Sequence, residues 1–426
     1  MSNISRINKL VCEVKKTSSL SEAEQYRDVP INVILGSDET GKVSIMAHSA
    51  VSLALRCMRG PINVFFAGKK PAVCLLNYER GLEEFLFSEA EKYGSADRLK
   101  FHNGPPTSGP VLSLGTLVSY GIHADADGWN ALINKTAKQG TSAVAPSAVF
   151  ATCCAFAKLF KSAILCDTRG HDEQWDFSLS DYCSNSSIGK SAPSGLDLGR
   201  IGLVGAGAIG SGFAYNLWLS SWSATVDIID SDSYEEPNIE TTLLLSKKEI
   251  LSRGKKAKVL AKSLASCTNL DTKPIVTRIY KESKELDDYR DILICAVDNT
   301  ETRQTLDHAN VDLIVNGAVG GTRFDSGHIL RSCHGSSSYL QLSSLYSAKS
   351  PTHDASEKNS YVPIEVAGDE CSRVAYNNVS LAAPFLGLSV GALLLASCAH
   401  RALGITTDKK YLKFDLLNMQ SKYKSE

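Results

Sequence analysis

Between Arg200 and Asp230 the chain spells out a strand, a glycine turn, a helix and a second strand with an acid at its tip, and no other stretch restricts the fold as far. Arg200-Ile-Gly-Leu-Val is a short apolar run that Gly205-Ala-Gly207-Ala-Ile-Gly210 closes as G-x-G-x-x-G; Phe213, Leu217 and Leu219 follow at helical spacing, and a second apolar run ends at Asp230. The glycines permit a turn too sharp for a side chain and a close approach of phosphate to the amides that open the helix. An acid about 20 residues further on suits a ribose hydroxyl. The stretch therefore predicts a βαβ unit in a parallel sheet, with a nucleotide site built on Gly205, Gly207, Gly210 and Asp230.

That fingerprint alone is shared by dehydrogenases, flavoenzymes, methyltransferases and adenylyltransferases, so the residues that follow must choose among them. After Asp230 come Asp232, Asn238, then Gly254-Lys255-Lys256-Ala-Lys258-Val-Leu-Ala-Lys-Ser-Leu, then the strand Asp291-Ile-Leu-Ile-Cys-Ala-Val-Asp298-Asn299-Thr300, with Arg303 on the helix behind it. This order resembles the adenylyltransferase superfamily of ubiquitin-activating enzymes and the ThiF-type enzymes that charge thiamine and molybdopterin sulfur carriers. Its pattern is G-x-G-x-x-G, D-x-D, an asparagine, a lysine opening a helix, and D-N at a strand end. The resemblance covers residues 198 to 330 well and the rest of the chain to its end more loosely.

The resemblance implies ATP and Mg2+ as cofactors and the C-terminal carboxylate of a ubiquitin-like or sulfur-carrier protein as substrate. It places Asp230 on the ribose, Lys256 on the phosphates and Asp298 on the magnesium ion, with Asp232 and Asn238 beside them. Adenylation needs those roles, because an anionic carboxylate must be held against an anionic triphosphate. Thr241 stands where many relatives carry an arginine; Arg253, or Arg6 or Arg27 from the other half of the chain, are the candidates to replace it. In several relatives a cysteine before the last buried helix captures the activated product as a thioester, and Cys371, in Gly368-Asp-Glu-Cys371-Ser-Arg-Val, holds that place in order. Arg373 would favour its thiolate, Asp369 and Glu370 would oppose it, and Cys333 is the other thiol of the same loop. A conjugating enzyme that accepts the thioester is the further partner implied, and a homodimer is open. Two other readings stand beside this one. An NAD-dependent oxidoreductase would use Gly205 to Asp230 equally well but leaves Lys256 and Asp298 without work, and Thr241 keeps an inactive adenylation-like scaffold in view.

Composition excludes more than it selects. The 45 basic and 46 acidic residues nearly cancel, so no general electrostatic footprint for nucleic acid exists. The 12 cysteines include no C-x-x-C, which argues against a zinc site and against a secreted disulfide framework; reduced thiols and a cytoplasmic location are expected. The N-terminal residues lack the apolar core of a signal peptide. Val379 to Ala399 is uncharged and long enough to cross a bilayer, but Pro384, Gly387, Gly391 and several Ser and Ala residues predict a buried helix and no membrane span.

The first part of the chain repeats the pattern without its chemistry. Ile31 to Gly36 reads as a strand and loop, Met46 to Met58 as a helix and Ile62 to Gly68 as a second strand, while Ser142-Ala-Val-Ala-Pro146 opens an uncharged helix like the one at Pro384. The glycine triplet, the acid after the second strand and the D-N strand end are missing. The expected architecture is thus α/β, two Rossmann-like adenylation-type halves with mainly parallel sheets: a degenerate first half over 1–183, a polar linker over 184–199, and an active half over 200–426 with a mobile cysteine-bearing loop at 331–378. Gly189-Lys190-Ser191 in the linker mimics the end of a P-loop but lacks its first glycine and a preceding strand. In the second half strands are expected at 201–204, 225–230, 274–280, 291–297, 312–316 and 327–332, with Tyr411-Leu-Lys-Phe-Asp as a closing strand.

Overall fold

The computed structural model describes residues 5–15, 19–73, 80–138, 140–166, 168, 171–184, 195–288, 290–320, 326–333, 383–405, 411–416 and 421–424. The first half runs α1 (Arg6–Lys15), α2 (Leu20–Arg27), β1 (Ile31–Leu35), α3 (Lys42–Cys57), β2 (Ile62–Phe66), α4 (Leu82–Tyr93), β3 (Leu99–His102), β4 (Val111–Leu114), β5 (Ile122–Asp127), β6 (Asn130–Ile133), α5 (Ala145–Leu165), β7 (Trp175–Ser178) and β8 (Cys183–Ser184). The second runs β9 (Asp197–Val204), α6 (Ala208–Leu219), β10 (Ser223–Ile229), α7 (Lys247–Leu251), α8 (Lys256–Leu264), β11 (Leu270–Ile275), β12 (Arg290–Cys295), α9 (Thr300–Thr305), β13 (Val311–Gly320), β14 (Ser326–Cys333), α10 (Pro384–Ala402), β15 (Tyr411–Asp415) and β16 (Ser421–Lys424).

Each half forms one sheet, in the orders β3-β2-β1-β4-β5-β6-β7-β8 and β11-β10-β9-β12-β13-β14-β15-β16, so every strand of the first has a counterpart at the same place in the second. The first five strands in each order are parallel and the last three antiparallel. This is the expected α/β class, with the repetition extended to topology. One strand is displaced from expectation: β11 occupies Leu270–Ile275, not 274–280. It is the edge strand, and its mixed sequence Leu-Asp-Thr-Lys-Pro-Ile hides it from a search for apolar runs. Pro274 is tolerated because one side of the strand has no ladder to complete.

The inner faces of both sheets and the helices α3, α5, α6 and α10 share one apolar core. Helices α6 and α10 cross backbone against backbone: a Cβ on Gly212 would lie 2.3 Å from the Gly387 carbonyl oxygen, and one on Gly391 would lie 2.3 Å from the Gly212 carbonyl carbon. The glycines that make α10 a poor membrane helix are what this crossing requires. Ala145–Ile164 and Pro384–Ala402 are both long and apolar enough to cross a bilayer, yet 89% of each is buried within the protein. Fully burying an aliphatic or aromatic side chain yields about 1.5–3 kcal/mol, and Phe385, Leu388 and Leu393, at 1% exposure or less, make that contribution inside this core. Polar contacts lock the halves together as well. The Tyr182 hydroxyl lies 2.6 Å from Ser397 Oγ, the Tyr215 hydroxyl 2.6 Å from His48 Nδ1, and Arg56 donates to the carbonyls of Thr242 and Leu243 at 3.2 and 3.0 Å.

The outer faces differ. In the second half Val204, Leu293, Cys295 and Ile314 pack under Ile279, Leu286, Leu306 and Ala309, whereas the first half gathers only Ile34, Phe65 and Val111, with Val118 against them.

Candidate functional site

A cleft of about 670 Å3 lies across the carboxyl ends of the parallel strands in the second half. Ligands bind at such edges because loops and helix starts converge there. Its floor is the glycine turn. Gly205 has φ +97°, and a Cβ there would meet the Ala296 carbonyl oxygen at 2.7 Å; a Cβ on Gly210 would lie 1.9 Å from the Gly205 carbonyl oxygen. Gly207 is different, since a Cβ there would meet nothing within 4 Å: its open side faces the cleft. Gly210 supports the turn from behind and is not part of the lining.

Asp230, just past β10, braces this turn. Its Oδ2 accepts the Ala206 amide at 2.7 Å and its Oδ1 the Asp232 amide at 2.8 Å, while the buried Tyr234 hydroxyl donates to the Ala206 carbonyl at 3.1 Å. Each carboxylate oxygen keeps a further lone pair for a ligand hydroxyl. The amides of Gly207 and the first residues of α6 have no partner within the helix and carry its positive dipole end toward the cleft.

Among the neighbouring lysines the structure selects Lys256. Lys255 and Lys258 are exposed and outside the lining, whereas Lys256 opens α8 with its amide on the Asp232 carbonyl at 2.8 Å and its Nζ 3.3 Å from Asp232 Oδ2. The Lys256 side chain is 15% exposed and that of Asp232 is 68% exposed, so the acid tethers the lysine from the solvent side. Asn238, nearly buried, accepts the Glu235 amide at 2.9 Å through Oδ1 as half of a capping box and lines the same cleft.

Asp298 follows β12 and projects, exposed, at the far side of the turn. Arg303 sets the backbone there. Its buried guanidinium donates to the Val297 carbonyl, to Asn316 Oδ1 and, at 3.4 Å, to the Gly317 carbonyl, tying the segment just past β12 to the middle of β13 next to Asp298. The sequence puts Arg303 on the helix behind the strand but does not show these contacts, since two of its partners are carbonyls, which leave no trace in residue identity.

Of the arginines considered in place of Thr241, only Arg6 lines the cleft. Arg27 is buried elsewhere, donating to the carbonyls of Cys57 and Arg56 at 2.9 and 2.8 Å, and the exposed Arg253 sits in a left-handed turn at φ +54°. Thr241 itself is buried. Arg6 belongs to the first half, so the site is assembled from both. Burial pulls its pKa down, while Glu240, Glu235 and Asp298 pull it back up. Arg278 and His328 also line the cleft and were not singled out in the sequence. Burial together with Arg303 and Lys413 pushes the His328 pKa down to about 4, so its ring is neutral near pH 7.

One carboxylate beside a triphosphate is an ordinary magnesium donor set, since that ion keeps its waters and takes one or two carboxylates plus phosphate oxygens. Asp298 fits this. Among the described residues no group of three or more His, Cys, Asp or Glu side chains could hold a metal ion. Cys371 and the Gly189-Lys190-Ser191 stretch lie outside the described residues, as does most of the loop 331–378. Cys333 closes β14, and its side chain is outside them too.

A family profile described as the BilD C-terminal domain matches residues 199–405, just under half of the chain and the part that holds the glycine turn, Asp230, Lys256 and Asp298. The uncharacterized protein y4jF of Sinorhizobium fredii is 31% identical over 152 residues, 34% of this chain and 29% of that one. Solved structures are less alike. E. coli MccB crystallised with succinimide has a TM-score of 0.41 at 13% identity, over 71% of this chain and 94% of that one. PaaA has 0.39 at 15% identity over 53% and 72%, and E. coli MccB with MccA 0.37 at 15% over 53% and 63%. Structural likeness this loose carries no information on activity or substrate, and the chain spans 29% of the length of its curated relative.

Proposed function

We propose that this chain is an ATP-dependent adenylyltransferase that activates the C-terminal carboxylate of a ubiquitin-like or sulfur-carrier protein. The carrying observation is that Gly207, Asp230, Lys256, Asp298 and Arg6 line one cleft. On this reading each part of the nucleotide has its own group. Asp230 at β10 takes the ribose, the Gly207 turn and the first amides of α6 take the phosphates, and Lys256 and Arg6 approach them from opposite elements. The substrate carboxylate oxygen bonds to the α-phosphorus as the bond to the β-phosphate oxygen breaks, and pyrophosphate leaves with that electron pair. Two anions must meet for this, so the cationic side chains and the helix amides lower the barrier chiefly by electrostatic preorganisation. Asp298 would hold Mg2+, which when bound would neutralise charge on the phosphates.

A second step, capture of the acyl group by Cys371 as a thioester with release of AMP and later transfer to a conjugating enzyme, is part of the same proposal. Its support is the order of residues along the chain. The test is ATP–pyrophosphate exchange by the full-length protein with candidate carrier proteins, followed by a search for a thiol-reducible adduct. Exchange that depends on a carrier, with an adduct lost in Cys371→Ala and kept in Cys333→Ala, is expected. Tight NAD binding with no ATP binding would replace this reading by the oxidoreductase.

A further inference from the structure

Glu240 ends the turn of 3-10 helix Glu236–Glu240 that carries Asn238 into the cleft, but its own carboxylate faces the first half. It is nearly buried, at 9% exposure. Oε2 accepts the Ile7 amide at 3.1 Å, and Oε1 accepts from Ser5 Oγ at 2.6 Å and from Arg27 Nη2 at 3.4 Å. Ile7 is in the first turn of α1, where amides lack partners within the helix, so Glu240 caps that helix from across the boundary between the halves and complements its dipole. Arg27 holds the same end from behind: its Nη1 donates to Ser5 Oγ at 3.1 Å and to Asn8 Oδ1. The residue that opens α1 is Arg6, whose Nε is buried with no hydrogen-bond partner among the described residues. Its place on the cleft wall is thus decided by how α1 docks, and Glu240 is the acid at that contact.

We propose that Glu240 is a positioning residue, which docks α1 onto the second half and so sets where Arg6 stands toward the nucleotide phosphates. It acts through Arg6 and touches no ligand. One carboxylate then links Asn238 of one half with Arg6 of the other, making the N-terminal helix part of the nucleotide site. The proposal rests on reading the cleft as an ATP site, and the experiment separates the two.

Full-length wild type, Glu240→Ala, Glu240→Gln, Arg6→Ala and the Glu240→Ala/Arg6→Ala double variant are compared by ATP titration calorimetry with magnesium and by amide hydrogen exchange across residues 6–15. Arg6→Ala and Glu240→Ala should each weaken ATP binding about tenfold, the scale of one lost hydrogen bond to a charged group. The double variant should be no weaker than the worse single, because both remove the same contact. Exchange in α1 should speed up about tenfold in Glu240→Ala and stay at the wild-type rate in Arg6→Ala. Glu240→Gln, whose single amide oxygen can still accept from Ile7 while its NH2 replaces the acceptor that faces Ser5 and Arg27, should recover only part of both losses. A merely structural role would give multiplying losses in the double variant, and that result, or unchanged exchange in α1, overturns the inference. Should Glu240→Ala fail to fold because it strands Arg27, Glu240→Gln carries the test, with losses of about threefold in affinity and in protection expected for one lost acceptor; no change in either overturns it. Absence of ATP binding by the wild-type chain overturns the nucleotide reading itself. Wild-type binding that Glu240→Ala leaves unaltered overturns this inference alone.

Discussion

Gly36 and Gly205 stand at the same place in their halves. Each follows the last residue of the strand paired on both sides, Leu35 with Phe66 and Leu114, Val204 with Ile229 and Cys295. A Cβ on either would strike the carbonyl beyond the neighbouring strand, Gly115 O at 2.5 Å and Ala296 O at 2.7 Å. Beyond that glycine the halves part. The second half leaves the start of α6 open to the cleft. In the first, Asp38 folds back: Oδ1 accepts the Thr40 amide at 3.0 Å and Oδ2 the Val43 amide at 3.0 Å, inside the first turn of α3. An internal carboxylate thus sits where an outside anion would sit. Gly36-Ser-Asp-Glu-Thr-Gly41-Lys42 has the spacing of a phosphate loop, but Val43 stands at the Ser/Thr position, and Lys42 Nζ lies 2.9 Å from Asp125 Oδ1. The registers also put Ala67 in the place of Asp230, Lys69 in that of Asp232 and the exposed Leu117 in that of Asp298. Two copies of one topology can therefore differ in chemistry through a handful of side chains at one sheet edge, while the core that folds them stays common.

The comparison breaks most easily at Asp298. Asp298→Ala should lower ATP–pyrophosphate exchange about a thousandfold with little change in melting temperature, because the side chain is exposed and leaves no core contact behind. Leu117→Asp should add no activity to the first half; measurable exchange in an Asp298→Ala/Leu117→Asp chain would show that the halves are nearer to interchangeable than their turns suggest. Gly210→Ala comes next. With a Cβ 1.9 Å from the Gly205 oxygen, it should cost about 3 kcal/mol in urea unfolding through overpacking. Gly207→Ala should unfold like wild type and lose only ATP affinity. Equal destabilisation by the two would mean that the open side of Gly207 is not open.

A smaller effect concerns buried histidines. Burial with Arg331 nearby pushes His400 down to about 3, and His328 lies at about 4. In the first half burial, with Lys92 and Arg56, holds His48 well below its usual range, so its 3.6 Å approach to Glu89 is not an ion pair near neutral pH. The folded pKa values lie below the unfolded value of about 6.5, so the unfolded chain binds more protons between the two. Stability is therefore full above pH 6.5 and falls as pH drops toward the folded pKa, by about 2 kcal/mol each for His328 and His400 at pH 5. Urea unfolding at pH 7.5 and pH 5 checks this, and a His400→Leu chain should lose less on acidification than wild type. An identical loss would place His400 outside the titration. The smallest effect belongs to Asp38. Asp38→Ala should cost about 1 kcal/mol as a lost helix cap and leave ATP binding unchanged, since Lys42 stays with Asp125. A second ATP equivalent bound by that variant would show that the carboxylate was the only thing closing the first half.

What could be read without the structure was whatever is local along the chain. The strand–turn–helix around Gly205, the acids at the strand tips Asp230 and Asp298, and the apolar helix at Pro384 follow from periodicity and from glycine's tolerance of positive φ, which act over a few residues. Edge strand β11 was misplaced because an edge needs neither an apolar alternation nor an unbroken row of donors. Tertiary structure alone decided which of Arg6, Arg27 and Arg253 reaches the cleft, which lysine of the run faces it, that Arg303 ties β12 to β13, and that Asp38 closes the first turn. Those outcomes depend on where side chains more than two hundred residues apart converge, as Arg6 and Glu240 do, and on which carbonyls the sheet register leaves exposed. Residue identity carries neither, because any arginine or aspartate satisfies the local rules equally well until packing chooses its partner.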